Sequence, residues 1–300
     1  MEFSCSLFTS LKCDLGEGLV WDNKSARMLM TDILKGKLIE IDIKSEKDRC
    51  WEFEEPVAWV LPTTFQGKYL IGLKTGIALF DICKPENMIW VNKNFPVNDN
   101  SRLNDACVDS SGRVWYGSMN MLNPSASDGR LASFSAKDGL HIHDEGFTVT
   151  NGPVISPDEK YLFFNDTLQG IVYRYQLTTQ SGKLENRTVF KKFSSKEGFP
   201  DGMCFDQDGN LWIALWGGAS IVQLDATGAV FKKVSIPALN VTNVCFFGPA
   251  LDRLVVSTAA IGLSMLETTK YPASGALFEV LNHGTTGIKT YPAALDPSWT

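Results

Sequence analysis

The sequence predicts an all-β fold, a six-bladed β-propeller with four-stranded antiparallel blades. One phrase recurs six times along the chain, and it consists of two apolar strands joined by a short polar turn. Successive copies lie 42 to 50 residues apart, which is the length of a four-stranded blade. Long amphipathic helix patterns are absent from the sequence. A β-sandwich is the competing architecture, but it would not require a phrase that returns six times at this spacing.

Each copy of the phrase starts on an innermost strand and turns on a polar or small residue. The copy NDACVDSSGRVWYGSM and the copy DGMCFDQDGNLWIALW show the pattern most clearly. The turn residues that mark the six copies are Ser25, Gly67, Gly112, Glu159, Gly209 and Asp252. Further strand pairs fill the intervals between copies, with Asp, Gly, Asn or Ser at the breaks.

Six blades of this length account for most of the 300 residues, so we expect one propeller domain over residues 1–300. A short N-terminal piece is left over. We expect it to pair with the last blade and close the ring, because an open propeller would expose a strand edge.

Composition and charge restrict the partners and the compartment. With 44% hydrophobic and 21% charged residues the chain has the composition of a globular protein, and its net charge is −6. Neither nucleic acid nor a membrane is an expected partner, because basic runs and long apolar stretches are absent. Seven cysteines without a CxxC pair indicate reduced thiols, and the N-terminus lacks a secretory signal pattern. We therefore predict a cytoplasmic protein that is a monomer or a weak homo-oligomer.

Polar residues occupy the start of the innermost strand in most blades. Blade symmetry points these positions at the central channel. Carboxylates and carboxamides that converge there are the oxygen ligands that hard divalent cations prefer, and two acidic groups so close would repel each other without a cation. The alternative is that these residues cap strand ends or bind channel water. The six positions are Glu17, Trp59 with uncertain registration, Asn104, Asn151, Asp201 and Thr242.

Several short motifs resemble those of the regucalcin (senescence marker protein) and gluconolactonase family. The later stretches NVTNVCFFGP, STAAIGLS and YPASGALFEV are also similar to bacterial aldonolactonases of that family that act on xylono- or arabinonolactone. The resemblance covers essentially the whole chain. The motifs that carry it are LGEG at 15–18, RLND at 102–105, TNGP at 150–153, PDGM at 200–203 and ALWGG at 214–218.

The resemblance implies a metal-binding set and a substrate-binding pair. It implies that Glu17, Asn151 and Asp201 ligate one divalent metal, while Arg102 and Asn104 face the substrate. Oxygen ligands do not decide between Ca²⁺, Mn²⁺, Zn²⁺, Fe²⁺ and Mg²⁺. The sequence departs from the family at Met121 and Leu122, where regucalcin-like members carry a Glu that helps to hold the sugar. This departure leaves the identity of the substrate open.

The predicted reaction is metal-dependent hydrolysis of a sugar (aldono-) lactone, a pentono- or hexonolactone, to its sugar acid in carbohydrate catabolism. A metal with open positions polarises the lactone carbonyl and lowers the pKa of bound water. Asp201 is the predicted catalytic general base. Arg102 would offset developing negative charge, and Asn104 would bind substrate hydroxyls. Two alternatives stay open, namely a broader metal-dependent esterase or phosphotriesterase and a non-catalytic calcium-binding propeller.

Three other features of the sequence carry weaker functional interpretations. His141 and His143 share a strand face and could hold zinc, although a solvated strand face is the commoner arrangement. The segment DQDGN at 206–210 superficially resembles a calcium loop, but it lacks the required glycine at position six and fits a hairpin turn better. Trp216 fits two places equally well, the channel mouth or the packing between blades.

Overall fold

Six antiparallel sheets of four strands form the computed structural model of the chain. The structure describes residues 4–9, 11–43, 48–93, 100–296 and 299. The innermost strands of the six sheets contact one another in cyclic order, and the first and last of them meet. The predicted six-bladed β-propeller is thereby confirmed.

Each blade follows the same order, with the innermost strand first in the chain, except that the outermost strand of blade 6 is the N-terminal strand β1 (Ser4–Leu7). The strands of blade 1 are β2 (Gly16–Asp22), β3 (Arg27–Asp32), β4 (Lys37–Ile41) and β5 (Asp48–Glu52). Those of blade 2 are β6 (Val57–Pro62), β7 (Lys68–Leu73), β8 (Gly76–Asp81) and β9 (Ile89–Lys93). Those of blade 3 are β10 (Ser101–Val108), β11 (Val114–Asn120), β12 (Gly129–Ser135) and β13 (Gly139–Phe147).

The second half of the ring repeats this arrangement. Blade 4 contains β14 (Thr150–Ile155), β15 (Tyr161–Asp166), β16 (Ile171–Thr178) and β17 (Lys183–Lys192). Blade 5 contains β18 (Phe199–Phe205), β19 (Leu211–Trp216), β20 (Ser220–Leu224) and β21 (Val230–Ser235). Blade 6 contains β22 (Asn240–Phe247), β23 (Arg253–Ala259) and β24 (Phe278–Leu281) besides β1. Short 3₁₀ turns lie at Pro85–Asn87 and Thr167–Gln169, and the one helix of the described residues is α1 (Met265–Lys270).

The core lies between blades rather than inside a single sheet. The innermost and second strands are almost fully buried, whereas outermost strands such as β5 and β17 are largely exposed. Apolar side chains on both faces of the inner strands pack against the neighbouring blade. For example, Trp115 and Phe147 of blade 3 pack with Leu162 and Phe164 of blade 4. This packing holds the innermost strands around the axis, where the candidate site lies.

The N-terminal strand closes the ring. Strand β1 pairs antiparallel with β24, with Ser4 opposite Leu281 and Leu7 opposite Phe278. It covers the edge of the last blade, and the prediction that the N-terminal piece pairs there is confirmed. Residues 1–3 and Ser10 of that piece lie outside the described residues.

The segment 206–210 is a hairpin turn, as expected, and its first carboxylate is fully used by the protein. Asp206 Oδ1 accepts hydrogen bonds from the backbone N–H groups of Asp208 (3.1 Å) and Asn210 (2.9 Å). Its Oδ2 accepts from Trp212 Nε1 (2.9 Å) and Gln223 Nε2 (2.6 Å). The carboxylate therefore fixes the turn to the second and third strands of blade 5, and the interpretation as a calcium loop is not needed.

We predict that Asp206→Ala lowers the free energy of unfolding by about 4 kcal/mol, because it leaves several buried donors without an acceptor. Urea unfolding measures this value. Asp225→Ala is the matched control, because Asp225 holds the next hairpin of the same blade through hydrogen bonds from Thr227 and Ala229 that are exposed to solvent, and we expect a much smaller loss there. Equal losses in the two variants would contradict the role given to the buried bonds.

No helix of the described residues is long and apolar enough to span a membrane. All seven cysteines lie within the described residues and are free.

Candidate functional site

Every innermost strand breaks its register at the level where the predicted site residues lie. In blade 1 the break falls between Glu17 and Val20, and in blade 4 between Asn151 and Val154. Blades 3 and 5 break between Leu103 and Ala106 and between Pro200 and Met203. Such a bulge bends the strand and re-aims side chains. The six bulges thus form one ring of irregular backbone around the axis.

Glu17 and Asp201 meet at this ring from different blades. Each residue is buried, with only 6% and 3% of its surface exposed, and the two carboxyl groups interact directly. Asp201 Oδ1 has no hydrogen-bond partner among the described residues. Asn165 Nδ2 donates to the backbone oxygen of Asp201 (2.6 Å) and so holds its strand against blade 4.

A chain of hydrogen bonds links the other three predicted residues. Arg102 Nη1 donates to Asn104 Oδ1 and, at 2.9 Å, to the backbone oxygen of Leu103. Asn104 Nδ2 in turn donates to Asn151 Oδ1 and to the backbone oxygen of Thr150 (2.6 Å). All three side chains belong to buried residues. The structure thus brings all five predicted residues together at one level of the channel, and the ligand and substrate roles given to them stay predictions.

The pKa values of the charged groups show how strongly burial acts here. Burial is the largest cause of the raised pKa of both Glu17 and Asp201, and the charge of Asp105 adds to it in each. Burial lowers the pKa of Arg102 to about 10, with Glu17 and Asp201 acting in the opposite direction. The guanidinium therefore stays charged at neutral pH and is near both carboxyl groups.

Three residues at this level were missed by the reasoning from sequence. Asp105 is buried, and its carboxylate accepts backbone N–H bonds from Ala106 and Gly152 at 2.7 Å each. Asn243 of blade 6 interacts with Glu17 and lowers the pKa of its carboxyl group. Thr167 Oγ1 accepts from Asn151 Nδ2 (2.9 Å) and donates to the backbone oxygen of Pro200 (2.8 Å), which ties blade 4 to blade 5.

Two of the six predicted axial positions do not contribute polar groups to the site, and this corrects the symmetry argument. The ring of Trp59 lies over Gly72 of the neighbouring strand, because these residues are cross-strand partners. The hydroxyl of Thr242 is bonded to the backbone oxygen of Gly16 and to Ser257 Oγ, so it joins blade 6 to blade 1. Asn243, one residue later, faces Glu17 instead.

The donor set fits a hard divalent cation. Two buried carboxylates that repel each other and a carboxylate oxygen without a donor are what such an ion would satisfy. Within the described part of the chain, no three His, Cys, Asp or Glu side chains form a metal-holding group. The predicted set contains only two acids, so its third ligand would be the amide oxygen of Asn151.

The histidine pair does not form a second site. His143 Nε2 is 2.8 Å from Ser133 Oγ and its ring packs on Trp115, while His141 Nε2 is 2.9 Å from the backbone oxygen of Asp138. Asp144 is bonded to Tyr175 and Arg187 instead. These separate contacts favour the interpretation of an ordinary strand face.

The departure from the family at Met121 and Leu122 lies on the face of the ring where the innermost strands begin. We call this face the site face. Met121 N donates to the backbone oxygen of Asn100 (2.7 Å), just before β10 begins, and Leu122 is 76% exposed. Trp216 ends β19 opposite Phe199, two residues before Asp201. The half-buried indole therefore lies at the mouth end of blade 5.

A cavity of about 430 Å³ lies farther along the same axis. It is lined by apolar residues that follow the bulges, such as Val154, Phe205 and Phe246, and by the C-terminal residues 288–291. Asp105 is part of its wall, whereas Glu17, Asn151 and Asp201 are not. The cavity and the predicted site are therefore successive levels of one channel.

Gly152 allows the strands of Asp105 and Asp201 to approach each other. Its φ is +52°, and a Cβ there would lie 2.9 Å from the backbone oxygen of Asp201. We predict that Gly152→Ala lowers kcat/KM of the activity proposed below by about 100-fold, because it displaces the Asp201 strand.

Gly209→Ala is the matched control for this prediction. Gly209 also has a positive φ, +81°, but a Cβ there meets nothing within 4 Å. Both variants should therefore lose about 1 kcal/mol of stability from backbone strain, while only Gly152→Ala should lose activity. A similar kcat/KM in the two variants would show that the close approach is unimportant.

Comparison with known proteins identifies the family of the chain. The family model described as SMP-30/Gluconolactonase/LRE-like region matches residues 15–260. Regucalcin of Danio rerio is 31% identical over 93% of this chain and 95% of its own. A Bacillus subtilis (strain 168) protein, named as a candidate sugar lactone lactonase, is 28% identical over 94% and 96%.

Among solved structures, the calcium-binding protein regucalcin from Agrobacterium tumefaciens superimposes with a TM-score of 0.92 and 23% identity, and the match covers 98% of each chain. That likeness concerns the fold. The extent of the family match and the 31% identity to a full-length relative establish that this chain belongs to the SMP-30/gluconolactonase/LRE-like family.

Proposed function

We propose that this protein hydrolyses a sugar lactone to the corresponding sugar acid, with one divalent cation held by Glu17, Asn151 and Asp201. The observation that carries the proposal is the pair of facing buried carboxylates beside an arginine, with one carboxylate oxygen left without a donor. The family match and the lactonase names among the relatives support the same reaction class.

The residues of the chain divide the work of lactone hydrolysis. Water adds to the carbonyl carbon, the bond from that carbon to the ring oxygen breaks, and one proton passes from the water to the ring oxygen. Asp201 is the proposed base that takes this proton and returns it, because its buried carboxyl group lies beside Glu17 and keeps one oxygen free of hydrogen bonds from the described residues. A bound cation would polarise the carbonyl and lower the pKa of the attacking water.

Arg102 and Asn104 orient the substrate in this proposal. The Arg102 guanidinium is buried near both carboxyl groups, where it offsets negative charge that develops on the carbonyl oxygen. Asn104 is held between Arg102 and Asn151, so that its amide is fixed before substrate arrives. A rigid polar group of this kind can select a ring hydroxyl.

The proposal also includes the compartment. Seven free cysteines, several of them with raised pKa values because they are buried, are stable as thiols in a reducing cytoplasm.

Acid release from pentono- and hexonolactones tests the proposal. The protein is first treated with chelator, and Ca²⁺, Mn²⁺, Zn²⁺, Fe²⁺ and Mg²⁺ are then restored one at a time. We expect hydrolysis to disappear and to return with at least one ion. Turnover of a paraoxon-type ester without lactone hydrolysis would replace the proposal with an esterase or phosphotriesterase. Cation binding without any turnover would indicate a non-catalytic propeller.

A further inference from the structure

Exposed apolar side chains occur on the site face in the loops of four blades. Fourteen large apolar residues are exposed in the described part of the chain, and six of them lie in the connections that leave the second strands at the site face, of which the one in blade 6 contains helix α1. Scattered single residues of this kind are normal on a protein surface, but several on the face that carries a site are informative. We call these six the apolar rim, and they are Leu34, Leu122, Leu168, Ile261, Met265 and Leu266.

Backbone pairing places the rim next to the site residues. Asp32 pairs with Gly16, the neighbour of Glu17, and Leu34 follows two residues later. Met119 pairs with Arg102, and Leu122 follows three residues later. These rim residues therefore follow, within a few residues, the strand positions that pair with the site region.

Blades 4 and 6 extend the rim in the same way. Leu168 directly follows Thr167, whose hydroxyl accepts from Asn151. The backbone oxygen of Ile261 accepts from Asn240 Nδ2 (3.1 Å) at the start of strand β22. The rim thus has two arcs, one on blades 3 and 4 and the other on blades 6 and 1.

The most exposed rim residues are held in place by local structure. Met265 and Leu266 are 90% and 79% exposed in the first turn of α1. Ser264 and Glu267 form a capping box that fixes this turn. The nearby charge of Lys35 is paired with Asp14 at 3.0 Å. The rim consequently offers apolar contact, whereas the interior offers a guanidinium, amides and carboxylates.

We propose that the natural substrate is a sugar lactone whose ring carries an apolar alkyl or aryl substituent, with the polar ring in the site and the substituent against the apolar rim. This inference rests on the proposed lactone hydrolysis and specifies its substrate class. The six apolar side chains cannot form hydrogen bonds with the hydroxyls of an unsubstituted sugar lactone. They can cover methylene groups of a substituent, and this burial of apolar surface favours binding. The protein is therefore polar in the site and apolar at the rim, just as such a substrate is polar at its ring and apolar at its substituent.

The test is a series of δ-lactones with the same ring and side chains from none to seven carbons, together with glucono-1,5-lactone. We expect kcat/KM to rise about twofold for each added methylene, since the rim would cover each group only in part. Leu122→Ser with Leu168→Ser removes one arc, and Met265→Gln with Leu266→Gln removes the other. Loss of the chain-length dependence in either variant, with the unsubstituted lactone hydrolysed as before, supports the inference and locates the substituent.

The matched control is Val189→Ser with Phe231→Ser, two exposed apolar residues on the outermost strands β17 and β21. Its chain-length dependence should equal that of the wild type. Rates that do not depend on chain length, or that depend on it equally in all variants, overturn the inference while lactone hydrolysis stands. A wild-type dimer that becomes monomeric in the rim variants, measured by light scattering, would show that a second copy covers the rim. Failure to hydrolyse any lactone of this series, and any of the pentono- and hexonolactones as well, would refute the proposed function itself.

Discussion

Replacing Asp201 with Asn is expected to lower kcat/KM for lactone hydrolysis by about 10³-fold, which is the range that a general base contributes. Asn keeps the shape of the side chain, and its amide oxygen can still interact with the backbone N–H of Gly202. It cannot take a proton from water. Initial rates of acid release at saturating metal measure the loss, and added metal should not restore the rate.

The same variant should be more stable than the wild type once metal is removed. Asp201 faces Glu17 in a buried position, and replacing one of two repelling carboxylates relieves that repulsion. We therefore expect a higher Tm for Asp201→Asn in chelator. Asp225→Asn changes an Asp of the same blade far from the site, and it should leave the rate unchanged without raising Tm. A variant that loses activity together with Tm would indicate that Asp201 serves the fold rather than the reaction.

The ring of blades could be predicted because its determinants are local in sequence. Each copy of the repeat contains its own two strands and its own turn, so that blade length and blade number follow from spacing. The same periodicity predicted that Glu17, Asn104, Asn151 and Asp201 would converge. Only the closure of blade 6 by β1 needed a long-range argument, and it followed from the strand edge that would otherwise be exposed.

The errors at the site come from the bulges. In a regular strand neighbouring side chains point to opposite faces, so Asp105 would point away from the axis if Asn104 points toward it. The register break after Leu103 brings both residues to the same level. In blade 6 the break lies between Val241 and Asn243, and it moves the axial side chain from Thr242 to the next residue. A shift of one residue has no signature in composition or spacing.

The contact between Thr167 and Asn151 could not be predicted from the sequence for another reason. It lies in the loop after β15, sixteen residues beyond Asn151, and its hydroxyl reaches Asn151 only because β14 and β15 are paired. The apolar rim has the same origin, since its residues belong to loops outside the repeated phrase. Sequence symmetry describes the strands of a propeller, whereas the loops that determine specificity differ from blade to blade.

Replacing Glu17 with Gln is expected to weaken binding of the divalent cation by about 100-fold, because one of the two ligand charges is lost while the oxygen remains. Titration calorimetry of the chelator-treated protein measures the change. Glu17 is proposed as a ligand and not as the base, so kcat at saturating metal should stay within about tenfold of the wild type. Recovery of the rate at high metal concentration therefore separates Glu17→Gln from Asp201→Asn.

Glu185→Gln is the control for the charge change, because Glu185 lies on the outermost strand β17, where its side chain is 48% exposed and paired with Lys183. Its cation affinity and rate should equal those of the wild type. If Glu17→Gln bound the cation as tightly as the wild type, the ion would have to be held elsewhere. The assignment of Glu17, Asn151 and Asp201 as the ligand set would then be wrong, even if the protein hydrolysed lactones. If Glu17→Gln bound the cation normally but stayed inactive, Glu17 rather than Asp201 would be the candidate base, since both carboxyl groups are buried and both have raised pKa values.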